Sequence, residues 1–246
     1  MSACHRPASK EQLGALVFTH KKHLEQVAKE WAGCTLCELH ELRDGDIMFG
    51  DGPVPAEILF ISSAPTESDE EYTSLFTGDE GGLLVEILNE LKVSTDGIYR
   101  TSAVACRPKA LIPATEEEEE RIVQIQPAKD HLQACRARLY EIIYAVDPRI
   151  IVTFGEAALQ TLHVQTNVDR APKKKISDAR GEIYELTIPG RLAQEVRYPV
   201  FPTLDLTYLI KNPSSAAHGP INTVFNDLGN VMQYLQWTKD NENNED

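Results

Sequence analysis

Apolar residues at Leu13, Leu16, Val17, Leu24, Val27, Ala28 and Trp31 recur with helical spacing, so an amphipathic helix is expected over 11–31, ended by Gly33. The pattern then changes. Ile58, Leu59, Phe60 and Ile61 form a short continuous apolar run, β-branched or aromatic, which suits a parallel strand covered on both faces. Ser62, Ser63, Ala64 and Pro65 break it, and a long polar loop leads to Gly81, Gly82, Leu83, Leu84, Val85, Ile87, Leu88 and Leu91, which are spaced for a helix with glycines at its entry. Second, third and fourth strands are expected at 98–104, 150–152 and 198–203, and a last amphipathic helix at 221–237. Between 110 and 133 the periodicity lapses, which predicts an exposed acidic insertion carrying helix fragments.

Strands alternating with helices define an α/β chain, and 246 residues of 42% hydrophobic content suffice for one such core. In open α/β sheets ligands bind where a strand runs into a loop and the next helix, which directs attention to the stretch 58–84. The net charge is −14, which argues against a chain-wide grip on nucleic acid while leaving room for a local basic face. Part of that charge lies in Glu116–Glu120 and in an acidic tail at 238–246, both expected to be solvated. No stretch approaches the roughly 20 apolar residues of a membrane span, and the first ten residues lack an apolar segment. A cytoplasmic protein is therefore expected.

Five cysteines without a secretory signal point to metal or redox chemistry before disulfides. Cys34 and Cys37 form a C-x2-C immediately after the first helix, Cys106 follows the second strand, and Cys135 follows the insertion. Four thiolates suit either a [4Fe–4S] cluster or a tetrahedral zinc ion, and spacing alone does not choose. Cys4 is left over. His20 and His23 sit one helical turn apart, a spacing that suits a metal but equally a solvated face beside Lys21 and Lys22.

These blocks together resemble the iron–sulfur, family 4-like uracil-DNA glycosylases. Cys34, Cys37, Leu39, Arg43, Gly50, Gly52 and Ala56 match C-x-x-C-x-L-x-x-x-R followed by G-x-G-x-x-x-A. Ala64, Pro65, Asp69, Glu70, Phe76, Gly78, Gly81, Leu83 and Leu84 fall in register with G-E-A-P-G-x-x-E-D-x-x-G-x-P-F-x-G-x-A-G-x-L-L. Cys106, Arg107 and Pro108 match the end of N-x-x-K-C-R-P-P, and Cys135 and Leu139 resemble C-x-P-x-L. Thr207, Tyr208, Leu209 and Pro213, with the conservative Ile210 and Lys211, fit H-P-S-Y-L-L-R-x-P. The resemblance covers roughly 34–235 and implies one glycosylase-like domain over 34–237, preceded by a helical segment over 1–33. It implies a three-layer αβα fold with a four-stranded parallel sheet, a [4Fe–4S] cluster on Cys34, Cys37, Cys106 and Cys135, and excision of uracil or an altered base from DNA.

The resemblance also exposes substitutions. The family's acid in its first motif falls on Ser63, its base-reading Asn on Ser102 and its His on Asp205, while Phe76 keeps the stacking position beside Ala64 and Pro65. Catalysis, if retained, would rest on Ser63, Asp69 and Asp205. An ionised Asp205 would repel a departing uracil anion, and it could donate a proton only if burial kept it protonated. Lys173, Lys174 and Lys175, the basic run of the chain, together with Lys211 are the expected phosphate contacts. Two function classes remain: a DNA glycosylase with a degenerate site, or an inactive relative that binds nucleic acid, weakly or as single strands, or a protein partner.

Overall fold

The computed structural model describes residues 10–114, 119–162, 175–189 and 195–244. The first helix, α1 (Lys10–Trp31), is followed by a 3-10 turn at Glu38–His40. The core then alternates strand and helix: β1 (Ile58–Ser62), α2 (Glu67–Tyr72), α3 (Gly78–Glu90), β2 (Ile98–Ser102), β3 (Lys109–Ile112) and β4 (Arg121–Gln124). After these come α4 (Lys129–Val146), β5 (Ile150–Phe154), α5 (Glu156–Thr161), α6 (Ile176–Ala179), β6 (Tyr184–Pro189), β7 (Glu195–Thr203), α7 (Leu206–Lys211) and α8 (Pro220–Asn244).

The main sheet runs β2-β1-β5-β7-β6, with the first four strands parallel and β6 antiparallel to β7. It has five strands, not the four expected. The missed strand is an edge: in β6, Tyr184, Leu186 and Ile188 are buried while Glu185 and Thr187 are not, so it lacks the continuous apolar run of a strand covered on both faces. The inner strands β1 and β5 do show that run. Ile58 and Phe60 enter the core that holds α3, α7 and α8, whereas Leu59 and Ile61 enter the opposite core with α4.

Three further local differences follow from the chemistry of the segments. The insertion folds as an antiparallel hairpin, with Ala110 opposite Val123 and Leu111 opposite Ile122, rather than as helix fragments; the apolar residues of its two short stretches pair with one another. The polar loop after β1 contains α2, nucleated by a capping box in which Thr66 Oγ1 accepts from the Asp69 N–H and Asp69 accepts from the Thr66 N–H. Helix α8 continues past Trp237 to Asn244, held by the paired bonds of Arg149 to Glu242 (3.2 and 2.8 Å) and by a Lys239–Glu57 pair. Helix α1 packs on α4: Trp31 donates to Glu141 at 3.0 Å and His20 Nδ1 donates to the Ala145 carbonyl at 2.9 Å. Among the described residues no helix is long and apolar enough to cross a membrane.

Candidate functional site

The carboxyl ends of β1, β5 and β7 converge on a cleft lined by Ser63, Ala64, Phe76, Phe154, Asp205 and Gln124 among others. Each strand delivers one part. Beyond β7, Asp205 caps α7, and its Oδ1 accepts from the Thr207 N–H at 2.9 Å. Just past β1, Ser63 donates to Asp205 Oδ2 at 2.8 Å and stands 3.2 Å from the Phe154 carbonyl. The first-motif and second-motif substitutions therefore touch one another. Phe76 forms a wall packed at a tilt against Phe60 and edge-on against Phe154, with ring centroids 6.2 and 5.6 Å away, and holds a left-handed backbone at φ 57°. Gly81 makes this bend possible, because a Cβ there would lie 2.0 Å from the Phe76 carbonyl oxygen.

Ser102 lies at the end of β2, opposite Ser62, fully buried. Its hydroxyl turns back to the Val104 carbonyl at 2.8 Å. Asp69 is 3% exposed and its carboxylate is filled: Oδ2 accepts from Thr66 N–H, and Oδ1 accepts from both the N–H and the hydroxyl of Thr77 at 2.8 and 2.9 Å. This anchors both ends of the loop that carries α2 and leaves Asp69 as its organiser. Pro65 is buried, and its carbonyl accepts from Gln124 of the hairpin at 3.1 Å, so the insertion is tied to the rim. Nearby cations are already engaged. Arg107 meets Glu67 at 3.1 Å and Glu70 at 3.2 Å, and Lys109 meets Glu70 at 2.8 Å as well as Asp44.

The four cysteines share one hydrophobic core, with Cys106 and Cys135 buried in it and Cys34 and Cys37 packed against it. Cys34 follows α1, Cys37 precedes the 3-10 turn, Cys106 leaves β2 and Cys135 lies in α4, and all four are free thiols. Burial pushes the Cys37 and Cys106 thiols up; Cys135 adds to both shifts, while Arg43 opposes that of Cys106 from 3.9 Å. Among the described residues, the one set of three or more metal-capable side chains with ligand atoms all within 4.8 Å is Glu38, Asp130 and His131. That set is accounted for without an ion: His131 Nε2 donates to Glu38 at 2.6 Å, and its Nδ1 accepts from the Ala128 N–H. No three of the four cysteine sulfurs lie all within 4.8 Å of one another.

Of the expected phosphate contacts, Lys173 and Lys174 lie outside the described residues, as does Cys4. Lys175 is exposed just ahead of α6, and Lys211 is exposed in the last turn of α7. Sequence reasoning missed Gly155 as a site residue, although its place between a strand and a helix is a signal. Its φ is +89°, and a Cβ there would lie 2.6 Å from Asp205 Oδ2 and 3.0 Å from Ser63 Oγ. Gly155→Ala is therefore expected to lose about 1–3 kcal/mol in denaturant unfolding through backbone strain and to push the Ser63–Asp205 pair apart. Unchanged stability would show that the turn relaxes freely.

A family model described as the uracil DNA glycosylase superfamily matches residues 49–229. Type-4 uracil-DNA glycosylases are among the similar proteins. That of Saccharolobus solfataricus is 30% identical over 192 residues, covering 78% of this chain and 79% of the relative. That of Thermotoga maritima is 28% identical over 199 residues, 81% and 89% of the two chains, and that of Archaeoglobus fulgidus 28% over 168 residues, 68% and 76%. The chain belongs to the uracil DNA glycosylase superfamily.

Proposed function

We propose that this chain is a cytoplasmic DNA glycosylase that hydrolyses the N-glycosidic bond of uracil or an altered base, with uracil a poor substrate. The reading is carried by the Ser63–Asp205 contact at 2.8 Å on the floor of a cleft walled by Phe76. In the family pattern an acid stands at position 63 and an imidazole at 205; here a hydroxyl and a carboxylate stand there, so the acid has moved to the other loop. As the glycosidic bond breaks, the sugar becomes cationic and the base leaves with the electron pair. Asp205, steered by Thr207 and Ser63, offsets that cation and accepts a hydrogen bond from the attacking water. The water oxygen bonds to the sugar carbon, and one water proton ends on the released base. The departing anion finds no imidazole donor and faces a carboxylate, which accounts for a slow uracil reaction. Phe76 supplies the stacking wall beside Ala64 and Pro65, and Asp69 acts by holding their loop.

Cys34, Cys37, Cys106 and Cys135 are proposed to hold a [4Fe–4S] cluster. A single zinc with sulfurs at about 2.3 Å would draw them to about 3.8 Å from one another, whereas no three lie within 4.8 Å here. The cluster would supply a structural cross-link between the segment after α1, the end of β2 and α4. The chemistry is carried by the protein residues at the cleft.

Incubating the protein with single- and double-stranded DNA carrying uracil, hypoxanthine or hydroxymethyluracil tests the functional reading. Abasic sites on at least one substrate are expected. A folded, cluster-loaded protein that produces none would leave the second reading, an inactive relative that binds nucleic acid or a protein. That reading draws support from the Ser102 hydroxyl, which is spent on its own backbone.

DNA is the proposed partner, bound weakly and best as single strands, because the cations at the rim are neutralised by acids. Reversing the charges of Lys173, Lys174, Lys175 and Lys211 together is expected to weaken binding at least tenfold and to flatten its salt dependence by roughly 0.7 for each phosphate no longer neutralised. Unchanged affinity and slope would move the binding face elsewhere.

A further inference from the structure

Arg138 lies on α4 three residues after Cys135, on the same helix face, and is 1% exposed. A guanidinium is never neutral under ordinary conditions, so its burial requires compensating partners. One nitrogen has them: Nη2 donates to the carbonyls of Ser102 at 2.6 Å and Ala103 at 3.2 Å. Nε and Nη1 are enclosed with no acceptor in hydrogen-bonding geometry among the described residues. No carboxylate among those residues pairs with this side chain; the groups that favour its charge are the sulfurs of Cys135, which lies within loose hydrogen-bonding reach, and Cys106, and the Tyr99 hydroxyl, and burial opposes it. The motif C-x-P-x-L leaves position 138 open, so the resemblance does not account for an arginine there.

We propose that Arg138 is a positioning residue whose two free donors face the sulfur ligands of the cluster, balancing its negative charge and tying it to the β2 end that carries Ser102. The inference rests on the cluster reading above. Four thiolates on a 2+ core leave a net charge of about −2, an anion large enough to accept from both donors. Arg43 also reaches this group of cysteines, with Nη1 3.5 Å from the Cys34 carbonyl and 3.9 Å from Cys106 Sγ. Arg138 differs in being sealed from water, where a charge acts on its neighbour with little screening. It therefore favours the more reduced, more negative cluster.

The test compares anaerobic wild type with Arg138→Met, Arg138→Gln and Arg138→Lys by iron content, visible absorption, Fe–S vibrational frequencies and spectroelectrochemical midpoint potential. The neutral variants are expected to shift the potential to more negative values, alter the Fe–S frequencies and lose iron faster in air. Lysine, which keeps the charge, is expected to stay nearer wild type in potential. Arg138→Gln with unchanged potential and frequencies at full iron content would overturn this proposal alone, as would a lysine variant that shifts as far as the neutral ones. Should both neutral variants fail to fold, Arg138→Lys decides against wild type alone: a potential kept near wild type at full iron content supports the charge role, and a potential that falls at full iron content overturns it. Wild type without iron would overturn the cluster reading, and this inference with it.

Discussion

Uracil release from single-stranded DNA by this protein is expected to be roughly 100- to 1,000-fold slower than by a family member with the full polar set, the range associated with losing one well-placed donor to a developing oxyanion. The geometry explains why the loss is concentrated at two positions. Asp205 accepts on both oxygens, from Thr207 and from Ser63, and is therefore arranged as an acceptor where a departing anion needs a donor. Ser102 spends its hydroxyl on the Val104 carbonyl. Changing Ser63→Glu, Ser102→Asn and Asp205→His together should raise uracil release, since Gly155 and Phe76 still set the turn and the wall around those positions. Single-turnover rates measure this. Efficient excision by the native protein would show that these substitutions are not losses. A triple variant that folds, keeps its iron and stays inactive would show that the cleft has been remodelled by the hairpin tied to Pro65.

Removing a cluster ligand should have the largest effect on the molecule as a whole. Anaerobically purified protein is expected to be brown with about four irons per chain, and Cys106→Ser or Cys135→Ser to bleach it and lower solubility. The reason is spatial. Cys106 leaves β2 and Cys135 sits in α4, so the cluster would clamp the sheet to the helix that carries Arg138, and its loss would leave that buried guanidinium without counter-charge. Burial raises the Cys37 and Cys106 thiols, so cluster assembly must also expel protons from them. Zinc without iron in anaerobic protein would contradict the assignment, as would a Cys106→Ser variant of unchanged colour.

What the sequence reveals here tracks how local each signal is. The runs at Ile58 and Ile150 mark two inner strands because burial on both faces leaves no polar alternation. Strand β6 escapes because its alternating Tyr184, Leu186 and Ile188 report one covered face, and the hairpin escapes because its strands are four residues each. Helix α2 is signalled by Thr66-x-x-Asp69, a capping signature hidden inside what reads as a charged loop. The contact between Ser63 and Asp205 joins residues 142 positions apart, and no periodicity reaches that far. Arg138 reads from sequence as one more charged residue on a helix; only its burial and unmatched donors set it apart.

In the proposed reaction the carboxylate at 205 performs the work the family pattern assigns to an acid at 63. Single-turnover base release by native protein and by Asp205→Asn, on whichever DNA substrate yields abasic sites, tests it most directly. Asparagine retains the shape and can still accept from Thr207. A further fall of about 100-fold is expected, with iron content and unfolding transition unchanged. Release by Asp205→Asn at or above the native rate would contradict it.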